Sequence, residues 1–179
     1  QRLRHLHSGV PCTTYSIAKH PAVRGSKQPW GFDPSDAETR LGNFMFQVAL
    51  VLLWLCLRRP CTSASPEHPL SAYSWKVPQW DILKASPHFR FYPFAMCAYG
   101  TPYRKLTGLA TVRAKFLEVL EKPCPGCAVH QVLEGSLTTA ASEYPPQLCY
   151  EFAQALAKDI QLREPLTPTY GEVSMDSSH

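Results

Sequence analysis

The run Phe44–Leu57 constrains the fold more than any other part of this 179-residue chain. It is apolar except for Gln47 and ends on Arg58, Arg59 and Pro60. Its fourteen residues fall short of the ~20 that a bilayer-spanning helix needs. The two arginines suit the negative end of a helix, and the proline stops it. The run reads as a buried core helix with Asn43 as its cap. With 45% hydrophobic residues the chain has enough apolar content to build a core around it.

The rest of the chain alternates short strands with helices. Residues 3–8 read as a strand and 9–42 as a long loop carrying Pro21, Gly25, Pro29, Gly31 and Pro34. Residues 60–72 form a second Pro/Ser-rich loop, in which Cys61–Ser65 makes a poor strand. A short helix over 78–85 follows, with Pro78 at its first position and Trp80 and Leu83 on one face. Phe89–Met96 reads as an aromatic strand interrupted by Pro93, and Leu106–Thr111 as the next strand. Val112, Phe116 and Leu120, four apart, predict a helix over 112–121. Leu148, Phe152, Leu156 and Ile160 mark a last helix that starts at Pro145-Pro146. This order predicts an α/β domain, a sheet with helices on its faces.

The formal net charge of +4 permits nucleic-acid binding without arguing for it, since no dense basic block stands out. Seven cysteines, an odd count with no visible leader, argue against a disulfide framework and for a reducing intracellular compartment, nucleus or cytoplasm. The chain opens on Gln1 almost inside a strand and reads as a piece with sequence missing upstream, while 165–179 reads as a flexible tail.

Cys12 follows Pro11 at the exit of the first strand, where a turn exposes the sulfur and nearby N–H groups or cations can hold a thiolate. The stretch Pro11-Cys12-Thr13-Thr14-Tyr15-Ser16-Ile17-Ala18 resembles the Pro-Cys-Gln-x-Phe-Ser-x-Ala nucleophile loop of the DNA cytosine-5 methyltransferases. Two further signatures of that family have altered counterparts here, in the family's order. Glu67-His68-Pro69 stands for Glu-Asn-Val, and Tyr99-Gly100-Thr101-Pro102-Tyr103-Arg104-Lys105-Leu106-Thr107 for Tyr-Gly-x-Pro-Gln-x-Arg-x-Arg.

The resemblance implies a partial Rossmann-like methyltransferase sheet over 1–164, with a small recognition or zinc-turn insert over 113–143. It implies that Cys12 adds as thiolate to carbon 6 of cytosine and that Glu67, kept protonated by burial, supplies ring nitrogen 3. Arg104 and Lys105 would hold the pyrimidine oxygen or a phosphate. The target base must be flipped out or presented single-stranded. The methyl donor, S-adenosylmethionine, would need an upstream Gly-rich half, with Pro146 as this chain's one contribution by analogy with the family's last motif. The chain departs from the family at Thr13 for Gln, His68 for Asn and Thr107 for Arg. These departures keep a second reading open: a non-catalytic nucleic-acid-binding relic of a retroelement polyprotein. Both readings have DNA as partner and no membrane.

Cys124-Pro125-Gly126-Cys127-Ala128-Val129-His130 points to a different chemistry. Cys-x-x-Cys with a histidine three positions on can give three zinc ligands, and Cys97 or Cys149 would have to fold in as the fourth. A tight turn without metal is the alternative.

Overall fold

The computed structural model describes residues 3–134 and 136–163. Four strands, β1 (His5–Gly9), β2 (Ser63–Pro69), β3 (Phe89–Ala95) and β4 (Leu106–Val112), form one open sheet in the order β1-β2-β4-β3. β1 and β2 are parallel, and β4 runs antiparallel to both β2 and β3. The fold is α/β, as the order of elements predicted, with a mixed open sheet flanked by helices. A parallel pair needs a crossover, and residues 10–36 together with helix α1 (Ala37–Leu57) supply it. Three further helices, α2 (Gln79–Lys84), α3 (Ser136–Ala140) and α4 (Pro146–Arg163), complete the described elements beside short 3-10 turns.

α1 begins six residues before Asn43, inside the segment expected to be loop. Asp36 caps it by accepting the Thr39 N–H at 2.7 Å. Asn43 instead lies within the helix. Its Oδ1 accepts from Tyr15 (3.1 Å) and Arg24 (2.6 Å), and its Nδ2 donates to the Trp30 carbonyl (2.7 Å). At 21 residues α1 is long and apolar enough to cross a membrane by length and composition. One of its faces, however, packs Phe46, Ala49 and Leu53 into the core. The opposite face is exposed, so the expectation of a wholly buried helix fails.

β2 was expected to be irregular. It is a central strand, buried over Ser63–His68 although its sequence is Ser-Ala-Ser-Pro-Glu-His-Pro. Small residues serve here because larger groups from β1 lie across them. His5 pairs in register with Ser63 and His7 with Ser65, and the imidazoles bond the hydroxyls at 2.7 to 2.9 Å. β3 tolerates Pro93 because it is an edge strand.

The helix expected over 112–121 is replaced by the end of β4 and a 3-10 turn, Lys115–Leu120. Ala114, Leu117 and Leu120 are the buried residues there. Their spacing of three is the 3-10 period, and the spacing of four seen through Val112 was coincidental.

Two cores result, one on each side of the sheet. Phe46, Leu53, Trp80 and Val112 anchor the α1 side; Phe94, Leu109, Leu117 and Leu148 anchor the α4 side. The loop 10–36 is pinned by Arg24, which is 1% exposed. Its guanidinium donates to the Thr14, Pro29 and Thr39 carbonyls, to the Thr14 hydroxyl and to Asn43, and it stacks on Tyr15 with 3.8 Å to the ring centre. Gly42 is required at this crossing, since a β-carbon there would stand 2.5 Å from the Thr14 hydroxyl.

Candidate functional site

Glu67 lies on the α4 side of β2, next to the C-terminal end of the strand. Its register partner is Gly9, the last residue of β1. The chain leaves β1 through Val10 and Pro11, and Cys12 then starts a 3-10 turn by accepting the Tyr15 and Ser16 N–H groups. Cys12 thus follows the strand end that pairs with Glu67, and the charge of Glu67 raises the thiol's pKa. β4 runs the other way, so its first residues sit beside the end of β2, with Thr107 opposite Pro69. Lys105 enters the site from there. Its Nζ donates to the Ala141 carbonyl at 2.9 Å, and its charge favours the ionised forms of both Cys12 and Glu67.

Cys12, Glu67 and Lys105 thus feel one another's charge. Arg104 is exposed on the turn, and Thr107 is fully buried with its hydroxyl unpartnered, so no second cation stands at that position. Pro146 is an exposed residue in the first turn of α4.

Glu67 is 7% exposed. Burial holds its pKa above the usual carboxylate range, against the opposing pull of Lys105 and of the hydrogen bond from Tyr144. Tyr144 donates to Oε2 at 2.9 Å, while Oε1 is buried without a partner. Gly9 makes room for this contact, because a β-carbon there would lie 2.9 Å from the Tyr144 oxygen.

Behind Tyr144 runs an unbroken polar chain: His7 at 3.2 Å, then Ser65 at 2.9 Å, His5 at 2.8 Å and Ser63 at 2.7 Å. Loss of water around the rings lowers both imidazole pKa values, that of His5 to about 4. The Ser63 hydroxyl also donates to the Arg4 carbonyl at 3.2 Å, which extends the chain to the backbone at the entry of β1. Glu67 and Tyr144 line a cavity of about 190 Å³ together with Phe94, Leu109, Leu148 and Phe152.

The thiol that lines this cavity is Cys149, and Cys12 does not line it. Burial raises the Cys12 pKa, offset in part by Lys105, so the resting sulfur is a thiol. The neighbouring His68 is 1% exposed and faces the α1 side of the sheet, bonding Ser74 at 2.7 Å among Tyr15, Phe46 and Trp75. Desolvation holds its pKa at about 4, with a partial offset from the Val10 backbone.

The sequence reading missed Tyr144, Arg24 and the His5–His7 pair. A signal for the last lay in the sequence: His-x-His on one strand and Ser-x-Ser on the next.

The second cluster joins Cys97, Cys124, Cys127 and His130, whose ligand atoms all lie within 4.8 Å of one another. Of the two candidates for fourth ligand, Cys97 is the one brought in. Tetrahedral thiolate at ~2.3 Å from zinc sets neighbouring ligands about 3.8 Å apart, so this Cys3His group is able to hold a zinc ion. Gly126, at φ +90°, makes the turn, and the Gly126 and Cys127 N–H groups hold the Cys124 pKa down to about 6. Burial and the adjacent sulfurs push the Cys97 thiol up to about 11. The cluster braces the turn that leads to Lys105, with Cys97 before it and the Gln131 N–H bonded to the Pro102 carbonyl at 2.8 Å.

Compared with known proteins, the chain matches no family model, no curated protein and no solved structure.

Proposed function

We propose that this chain is the target-base half of a DNA cytosine-5 methyltransferase-like protein, its sheet being part of a Rossmann-like methyltransferase sheet. One observation carries the reading. Cys12, Glu67 and Lys105, singled out in the family's order, feel one another's charge near the end of parallel strands β1 and β2, the place where ligands gather in such sheets.

In this reading a cytosine, flipped out or single-stranded, enters beside Glu67. The carboxyl, neutral through burial, gives its Oε1 proton to ring nitrogen 3. Cys12 loses its proton to solvent, aided by Lys105, and the thiolate adds to carbon 6. Carbon 5 then has enamine character and accepts an electrophile. Lys105 faces the pyrimidine oxygen. The residues present do not form a site for S-adenosylmethionine. Pro146 is exposed and does not line the Glu67 cavity, and no Gly-rich turn follows a strand among the described residues. Methyl transfer therefore lies beyond this chain alone. The Cys3His group serves as a structural zinc site that stiffens the turn before Lys105.

One observation favours the non-catalytic, nucleic-acid-binding reading: the Cys12 thiol is held protonated by burial. The two readings separate on covalent capture. A single-stranded oligonucleotide carrying 5-azacytosine, whose ring nitrogen at position 5 makes carbon 6 more electrophilic, should form an adduct that peptide mapping locates on Cys12. Oligonucleotide binding with no adduct, at a pH high enough to ionise the thiol, would leave the relic.

A further inference from the structure

The outer face of α1 is an unpartnered apolar surface. Leu41, Phe44, Val48, Val51 and Leu55, with Met45 and Leu52 beside them, are 39 to 63% exposed. They recur at intervals of three and four, the seam that one helix offers another in a coiled coil. The helix already uses a separate seam, Thr39, Gly42, Phe46, Ala49, Leu53 and Cys56, against its own sheet. A solvated helix has no need of two such seams.

The pattern also reads the same in both directions about Val48. Reversal places Leu41 on Leu55, Phe44 on Leu52, Met45 on Val51 and Val48 on itself. The same reversal places Glu38, in the first turn, on Arg58 at the C-terminal cap. A two-fold axis requires this self-complementarity, in which residue i meets j and j meets i. Beside Val51, the groove of about 180 Å³ between α1 and α2, lined by Leu50, Trp54, Ile82 and Leu83, lies at the point where Met45 of a second copy would arrive. A flexible methionine suits such a gap.

From this symmetry we infer that the chain forms a homodimer through α1, the two helices antiparallel and crossing at Val48. The dimer buries the exposed seam and brings Arg58 of each copy to the Glu38 carboxylate of the other, which Lys19 already holds in place at 2.8 Å. The inference is independent of the nucleobase reading, because α1 and the Glu67 cavity lie on opposite sides of the sheet.

Sedimentation velocity of the full chain under reducing conditions tests it, with circular dichroism to confirm folding of each variant. The wild type should sediment as a dimer at tens of micromolar. Val48→Glu, at an exposed position, should be a folded monomer. Arg58→Glu should weaken association at least several-fold, and adding Glu38→Arg together with Lys19→Glu should restore most of it, since all three charges are then reversed. A wild-type monomer would overturn the inference. So would a dimer indifferent to Val48→Glu, or one whose Arg58→Glu defect the two added swaps do not repair. Flotation of the wild type as a monomer with zwitterionic phosphatidylcholine vesicles would also overturn it and assign the seam to a lipid surface.

Discussion

Tyr144 donates to Oε2 of Glu67 at 2.9 Å and leaves Oε1 buried with no partner. An unsatisfied buried carboxyl oxygen costs on the order of 1–3 kcal/mol, so its persistence beside a cavity marks it as the atom a ligand would use. The Tyr144 bond favours the charged carboxylate and partly offsets burial. Tyr144→Phe should therefore raise the Glu67 pKa further. Carbon-13 NMR titration of the carboxyl checks this, and a fall in pKa would contradict the arrangement.

Arg24 should matter for stability out of proportion to its distance from the site. Its guanidinium satisfies five acceptors, none of them a carboxylate. Arg24→Met would leave buried carbonyls without donors, a loss on the order of 3 kcal/mol. Arg24→Lys should recover little, because an ammonium cannot reproduce the planar fork. Urea unfolding measures both variants. If Lys performs as well as Arg, the loop is not held in this way.

Stability should fall in mild acid. The folded pKa of His68, about 4, lies below the ~6.5 of an unfolded histidine. The unfolded chain thus binds more protons between those values, and stability is full above about pH 6.5 and drains away towards pH 4. For one group the loss is on the order of 3 kcal/mol. His5, also near 4, adds to it. Glu67 works in the opposite sense: its raised pKa favours the folded state at low pH and loses that advantage as pH rises past the ordinary carboxylate range. His68→Asn, which keeps a polar partner for Ser74, should flatten the pH dependence of the urea midpoint between 6.5 and 4. An unchanged slope would mean that His68 is not buried neutral.

About one equivalent of zinc should accompany the purified, reduced chain. Cys97→Ser should lose it, and Cys149→Ser should not, because Cys149 lies at the Glu67 cavity instead. Elemental analysis decides this. Trace metal in the wild type, or dependence on Cys149, would remove the site.

How much of this was legible in the chain follows from the range of each signal. The Cys-x-x-Cys turn is a local pattern and gathers its ligands as the sequence suggested, whereas Cys12 follows the first strand as read but is half-buried and held as a thiol instead of exposed as a thiolate. β2 was illegible because its stability comes from neighbours. Ser63 and Ser65 have poor strand propensity, and only the histidines of β1, 58 residues earlier, explain them. The start of α1 was misplaced because the apolar run, rather than Asp36 with the Thr39 N–H, was taken to mark the helix. Tyr144 could not be found at all, since it reaches Glu67 across 77 residues with no motif linking them.

The central claim, that Cys12 and Glu67 activate a cytosine together, is tested most directly by hydrogen exchange at carbon 5. Addition of the thiolate at carbon 6 and protonation at nitrogen 3 let carbon 5 take a deuteron from solvent. Loss of the original proton and expulsion of the thiolate then return cytosine, deuterated, with no methyl donor required. A single-stranded oligonucleotide in deuterium oxide, followed by proton NMR, should lose its cytosine H5 signal with the wild-type chain. The rate at each pH should follow the product of the protonated Glu67 fraction and the ionised Cys12 fraction. Cys12→Ser and Glu67→Gln, both folded, should leave H5 intact. Full retention of H5 with folded wild-type protein at every pH, or exchange that survives Cys12→Ser, would contradict the account.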